Sequence, residues 1–304
     1  MRITANENTR FSLLKRLKPS GVALNILTLA TVISACAPID ELARTYQKKQ
    51  ASQITRGQSC PQCDLRYQNF KQMNLTGTNF RGAYFFNVNF YRSNLMASDF
   101  ESATLVFANF ERADLSNANL MKADFTRASM YGATMRGADL RFAEMQEAEM
   151  GAVELTHANL TTASLRRATL TNAFADHADF RSADLREAIL AGADLSNANM
   201  ANTDLRGADL SGANLTMTNL QNAQLQGANL QNAIIDYTTL TEANLTGADL
   251  RGARINGANL KRAKFERADL FHSEISSVLK DHTIFCDARL PKGNRGDCKD
   301  KKSP

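Results

Sequence analysis

An all-β solenoid is the fold class that this sequence predicts, and three observations predict it. A large apolar residue occupies the 46 positions from 65 to 290 in steps of five, with Ala175 and Lys280 as the two exceptions. The residue two before each such centre is Ala in 30 of the 34 quintets centred from 105 to 270, and the others, Val153, Thr203, Thr218 and Thr238, are also small. Neither regular element explains that spacing. Five steps of about 100° scatter successive centres around a helix, and an odd repeat throws them onto alternate faces of a flat strand. A short extended piece, on which the small residue and the centre point the same way, followed by a corner, satisfies both positions. A period held this long defines the architecture before any other feature.

The quintet reads small, Asp or Asn, large, then two variable polar residues, as in Ala208-Asp209-Leu210-Ser211-Gly212 and Ala213-Asn214-Leu215-Thr216-Met217. This pattern resembles the pentapeptide-repeat family, and the resemblance covers residues 60–290. It implies a right-handed quadrilateral (four-sided) parallel β-helix with four quintets per coil and about 11 coils, which at ~4.8 Å per coil make a rod of roughly 55 Å. Residues twenty apart then become vertical neighbours. Each inward centre contributes roughly 1.5–3 kcal/mol on burial. Phe70, Phe80, Phe85, Phe90, Phe100 and Phe110 crowd the early coils and are expected to stack up the column. Met130, Met135, Met145 and Met150 read as adaptable filler, and Asp or Asn before the centre as partners for corner backbone.

The flanks give the address. Lys15, Arg16 and Lys18 precede an apolar run over residues 22–33, short for a bilayer span of about 20 residues. The run ends in Ile33-Ser34-Ala35-Cys36, which resembles a bacterial lipobox, so residues 1–35 are expected to be a lipoprotein signal peptide and Cys36 the lipidated first residue; the alternatives are an uncleaved anchor or an ordinary signal cut nearby. Ala37 in place of Asp points, by the same resemblance, to the periplasmic face of the outer membrane. Residues 36–59 are expected to form a tether or short capping helix, and residues 291–304, with Pro291, Gly293 and Gly296, a loop and polar tail.

A solenoid has open ends, whose unpaired backbone groups recruit other chains. Of five cysteines, Cys60 and Cys63 open the rod while Cys286 and Cys298 follow its far end. Of three possible pairings, this placement leaves Cys60 with Cys63 and Cys286 with Cys298, as end clips suited to an oxidising compartment. It also separates the four too widely for one zinc site. Thiol exchange at Cys60-Pro61-Gln62-Cys63 is the minor alternative.

The chain carries +5 formally, but Arg2, Arg10, Lys15, Arg16 and Lys18 against Glu7 place four of those charges before Cys36. The remainder is near neutral, and residues 61–280 sum to −3, neither a basic groove nor a densely acidic face, so no nucleic-acid partner is expected. No phosphate loop, nucleophile elbow or cofactor motif stands out, and no enzyme activity is expected.

Two surface features remain. His157 and His177, twenty apart, form a weak metal candidate with Asp176 and Asp179 as helpers. Arg166, Arg186 and Arg206, also at intervals of twenty and joined by Arg167 and Arg181, form a possible interaction patch, with Asp184, Glu187 and Asp204 available to neutralise it internally. Phe174 precedes the undersized centre Ala175 and is expected to turn inward to fill the space, or else to be displayed as part of that patch. The functional expectation is an exported, lipid-anchored, non-catalytic scaffold for an envelope protein or polymer, with homo-oligomers open. Protection of DNA gyrase by mimicry, an activity of the family, and a secreted effector are the alternatives; a metal-dependent envelope enzyme is the outsider.

Overall fold

The computed structural model describes residue 54 and residues 59–298. The N-terminal segment through residue 53, with the signal region and Cys36, lies outside the described residues, as do residues 55–58 and 299–304. Ile54 is helical and buried with the core.

Quintets with Asp or Asn before the centre solve their backbone hydrogen bonding in the same way, and the one centred on Leu115 shows how. The Leu115 N–H donates to the Thr134 carbonyl on the next coil (2.7 Å), the Asn117 N–H to Arg136 (2.8 Å), and the Asp114 N–H back to Ser93 on the previous coil (3.0 Å). The Ala113 N–H closes the preceding corner on the Phe110 carbonyl (2.9 Å), and the Ser116 N–H reaches the Asp114 carboxylate (2.9 Å). All five donors are satisfied. This is the work of the Asp or Asn that precedes the centre in these quintets: its side chain serves the corner N–H that no carbonyl reaches.

The corner is a type II turn, with the Leu115 carbonyl accepting from the Ala118 N–H (3.0 Å) and Asn117 at φ 55°. The second corner residue is left-handed in every quintet from Gln62 to Asp287, and glycine occupies only a minority of these positions.

Parallel bridges join residues twenty apart, in four ladders that begin Asp64–Tyr84–Thr104, Asn69–Asn89–Asn109, Asn74–Asn94–Asp114 and Asn79–Asp99–Asn119. Among the described residues the pairing lengthens to strands at β1 (Arg254–Asn256) and β2 (Glu274–Ser276), which pair in parallel with Arg254 opposite Glu274. At the far end the chain reverses, and Arg289 bridges Arg295 in antiparallel sense across the final coil.

Inside, the centres from Leu65 to Leu270 and the small residues two before most of them form one buried column, beyond which Ile275, Phe285 and Leu290 are half-buried and Lys280 is exposed. Phe70, Phe90 and Phe110 stack with centroids 5.4 and 4.9 Å apart, and the methionine centres are fully buried, as the sequence led us to expect of both. Where Thr replaces the inward Ala, its hydroxyl is satisfied by a carbonyl of the coil before: Thr238 Oγ1 donates to Leu215 (2.6 Å) and Thr218 Oγ1 to Leu195 (2.8 Å).

The inward reading of Phe174 is corrected. Its side chain is 55% exposed, while Ala175 holds the buried centre. The cause is parity: residue 174 sits on the Glu154–Phe174–Asp194 ladder, where neighbours of an inward centre point outward.

Candidate interaction surface

The outward side chains of successive coils lie in register, so each surface feature is a column of residues twenty apart. Arg186 grips the Asp184 carboxylate with Nε at 2.8 Å and Nη2 at 2.5 Å, and Arg206 grips Asp204 at 2.9 and 2.6 Å. Arg181 holds Asp179 in the same fork. This clamp recurs wherever Arg follows a centre preceded by Asp, as at Arg66–Asp64, Arg141–Asp139 and Arg251–Asp249, so it is a property of the coil. Arg167 Nε bonds Glu187 at 2.6 Å. Arg166 differs because Ser164 stands where the clamp needs Asp. It leans toward Glu187 at 3.6 Å, and its Nε is enclosed without a hydrogen-bond partner. Hydrogen bonding from Arg186 holds the Asp184 carboxyl below the usual carboxylate range, and the Arg167 hydrogen bond does the same for Glu187.

Phe174 does not join this patch. Arg186 and Arg206 follow the Ser164–Asp184–Asp204 ladder, and Phe174 lies on the Glu154–Phe174–Asp194 ladder, with one ladder between them in either direction.

His157 and His177 stack with ring centroids 5.1 Å apart and planes at 16°. Asp176 lies 3.8 Å from His177 Nε2, but its Oδ1 already accepts from Ser196 Oγ (3.2 Å) and Asn197 Nδ2 (3.0 Å). Among the described residues, the grouping of three donors close enough for a metal is instead Cys286, Asp287 and Cys298, two of which are joined as a disulfide. Cys60 and Cys63 are joined likewise, with Cα atoms 5.5 Å apart. A shallow groove of about 330 Å³ lies where the Tyr131 ring folds over Gly151, lined also by Glu149, Thr169, Thr171 and Asn172.

Sequence reading passed over one corner of the early coils. Tyr67, Phe86 and Phe107 meet edge to face with centroids 5.6 Å apart at each contact, and Tyr84 lies beside them, 53% exposed. Writing the sequence in rows of twenty brings these aromatics onto one corner; rows of five do not.

Residues within 63–101, 103–222 and 233–270 match, in eight copies, the family model described as pentapeptide repeats. The chain belongs to the pentapeptide-repeat family. Pentapeptide-repeat proteins fold as right-handed parallel β-helices and generally serve as structural or interaction proteins. Among solved structures the chain is similar to HetL, a pentapeptide repeat protein involved in heterocyst differentiation regulation from the cyanobacterium Nostoc sp. strain PCC 7120. The identity is 26% over 81% of this chain and 97% of HetL, with a TM-score of 0.34. It is similar also to QnrB1, a plasmid-mediated fluoroquinolone resistance protein, at 18% identity over 73% of this chain and 91% of that one, with a TM-score of 0.35. A pentapeptide repeat protein of the Arabidopsis thaliana thylakoid lumen is 35% identical over 38% of this chain and 66% of its own length, with a TM-score of 0.16. No curated protein sequence gave a match.

Proposed function

We propose that this pentapeptide-repeat protein is a rigid, non-catalytic interaction scaffold, exported and lipid-anchored in a bacterial envelope, and that its solenoid is a four-sided rod of about eleven coils. The uninterrupted ladder pairing carries this reading. Bridges twenty residues apart run from Asp64 to Arg289, so outward side chains occupy fixed positions on a stiff frame and form rows rather than a cleft. Such a surface suits recognition by many small contacts along an extended partner. The basic segment, the apolar run and Ile33-Ser34-Ala35-Cys36 support export and acylation, and paired cysteines near both ends of the solenoid suit an oxidising compartment.

The test has two arms. Metabolic labelling with a radiolabelled fatty acid, followed by fractionation, is expected to place labelled protein in the membrane fraction and to lose the label in Cys36→Ser; an unlabelled chain in the soluble fraction sinks the anchor. Crosslinking in intact cells is expected to capture a defined envelope partner, and recovery of a cytosolic complex instead removes the envelope assignment.

A further inference from the structure

We propose that the early coils carry a docking corner for the interface of an anionic bilayer, formed by Tyr67, Phe86 and Phe107 and flanked by Lys71 and Arg92; this rests on the exported, lipid-anchored reading above. Further along the same column the corners are charged, with Arg127, Glu147, Arg167 and Glu187 following in turn, and then glycine at 207, 227 and 247. In the early coils the column reads Tyr67, Asn87 and Phe107, and the half-buried ring of Phe86, from the neighbouring corner position, lies between the two displayed rings: Tyr67 is 63% and Phe107 44% exposed. Arg127 caps the far side of the cluster, its guanidinium 5.9 Å from the Phe107 centroid.

The adjoining corner supplies the charge. Lys71 Nζ and the Arg92 guanidinium lie 5.1 and 5.2 Å from the Tyr91 centroid, and neither forms an ion pair with a carboxylate among the described residues. The side between the two corners presents Asn69, Asn89 and Asn109, which carry no charge. Through residue 112, a span that takes in Phe107 and the adjoining corner, the solenoid holds Arg66, Lys71, Arg81, Arg92 and Arg112 against Asp64, Asp99, Glu101 and Glu111, a net +1, whereas residues 113–280 sum to −4. Positive charge and exposed aromatics therefore coincide in the coils nearest Cys36 in sequence. Amphipathic rings settle at the level of the headgroups, and lysine and arginine are drawn to anionic lipid there. A lipid on Cys36 would hold this end of the chain close to such a surface.

The chain contains no tryptophan, so a single introduced one reports on its own position. Full-length Cys36→Ser protein carrying Phe107→Trp is mixed with phosphatidylglycerol vesicles bearing brominated acyl chains. The companion chain carries Tyr237→Trp, at a position equally open (67% exposed) but on the corner after the Asn214–Ile234–Arg254 ladder. Because both chains share the apolar run at residues 22–33, the difference between them isolates the corner. Emission of the Phe107→Trp chain is expected to be quenched several-fold more than that of the Tyr237→Trp chain, with the excess lost on adding Lys71→Gln and Arg92→Gln. Tyr67→Trp serves as a second reporter with the same expectation. Equal quenching at the two corners, no quenching at either early position, or a spectral change with soluble envelope glycan but not with vesicles overturns the proposal. Fatty-acid labelling of the unsubstituted chain is read separately: selective quenching without labelling leaves the corner standing and removes the anchor, and labelling without quenching does the reverse.

Discussion

Thr162 shows what each corner demands of a single residue. It holds φ 60° with a β-branched side chain, in a position where Gly192 and Gly212 meet the same requirement without a Cβ. A left-handed L-residue costs about 1–2 kcal/mol, and the extra backbone entropy of glycine returns roughly 0.5–1 of that. Thr162→Gly is therefore expected to stabilise the protein by about 0.5–1 kcal/mol, seen as a higher urea midpoint. A lower midpoint would mean that the turn tolerates threonine without strain. The Asp–Arg clamp makes a second demand, this time on charge. Hydrogen bonds from Arg141, Arg186 and Arg251 hold the carboxyls of Asp139, Asp184 and Asp249 below their ordinary values. A depressed folded value means stability present above the unfolded value and lost as pH falls below about 4. The wild-type urea midpoint should thus fall more steeply between pH 5 and 2, both round values of about the carboxylate range, than that of a chain carrying Asp139→Asn, Asp184→Asn and Asp249→Asn. Parallel acid limbs would show that the exposed clamps contribute nothing.

At the scale of the quintet, the narrow position is the inward alanine. Ala208 is 1% exposed and lies two before Leu210, which is fully buried. Added methylenes there must displace a neighbouring centre, so Ala208→Leu is expected to cost about 1–3 kcal/mol, whereas Ala208→Ser, whose hydroxyl can bond the Leu205 carbonyl as Ser93 bonds Phe90 at 2.6 Å, should be tolerated. Urea unfolding of the two variants separates size from polarity. Much of this was legible beforehand. Ala and Leu recur at fixed offsets because a shared inward face leaves no other choice, and Asp or Asn recurs because one corner N–H lacks a carbonyl. The left-handed corner was not legible, since side chains as different as Phe107, Glu147 and His177 occupy it. Turn geometry overrides their individual preferences at that point.

Over the whole molecule, stability accumulates coil by coil, and each coil answers mainly to its neighbours. The end pieces should then matter locally. Removing the clip with Cys286→Ser and Cys298→Ser is expected to lose about 2–4 kcal/mol from the closing loop and to raise amide exchange in residues 270–290 while leaving residues 150–170 protected. Hydrogen exchange read by mass spectrometry checks this, and a uniform rise along the chain would point to all-or-none unfolding instead. The bridge from Arg289 to Arg295 belongs to the same cap, and Gly296 is required there because a Cβ would run into the Phe285 carbonyl oxygen.

By itself the sequence determined the inward set and the cysteines available beyond it, because a five-residue period reports on local sterics and burial alone. Which outward residues meet was decided only in the folded molecule. Phe174 is a few residues from Arg167 and Arg181 in the chain, yet lies on another ladder from Arg186 and Arg206, while Tyr67, Phe86 and Phe107 are far apart in the chain and touch in succession. Neighbour relations on the surface follow the register of hydrogen bonds between coils, and that register spans twenty residues, beyond the reach of any single quintet.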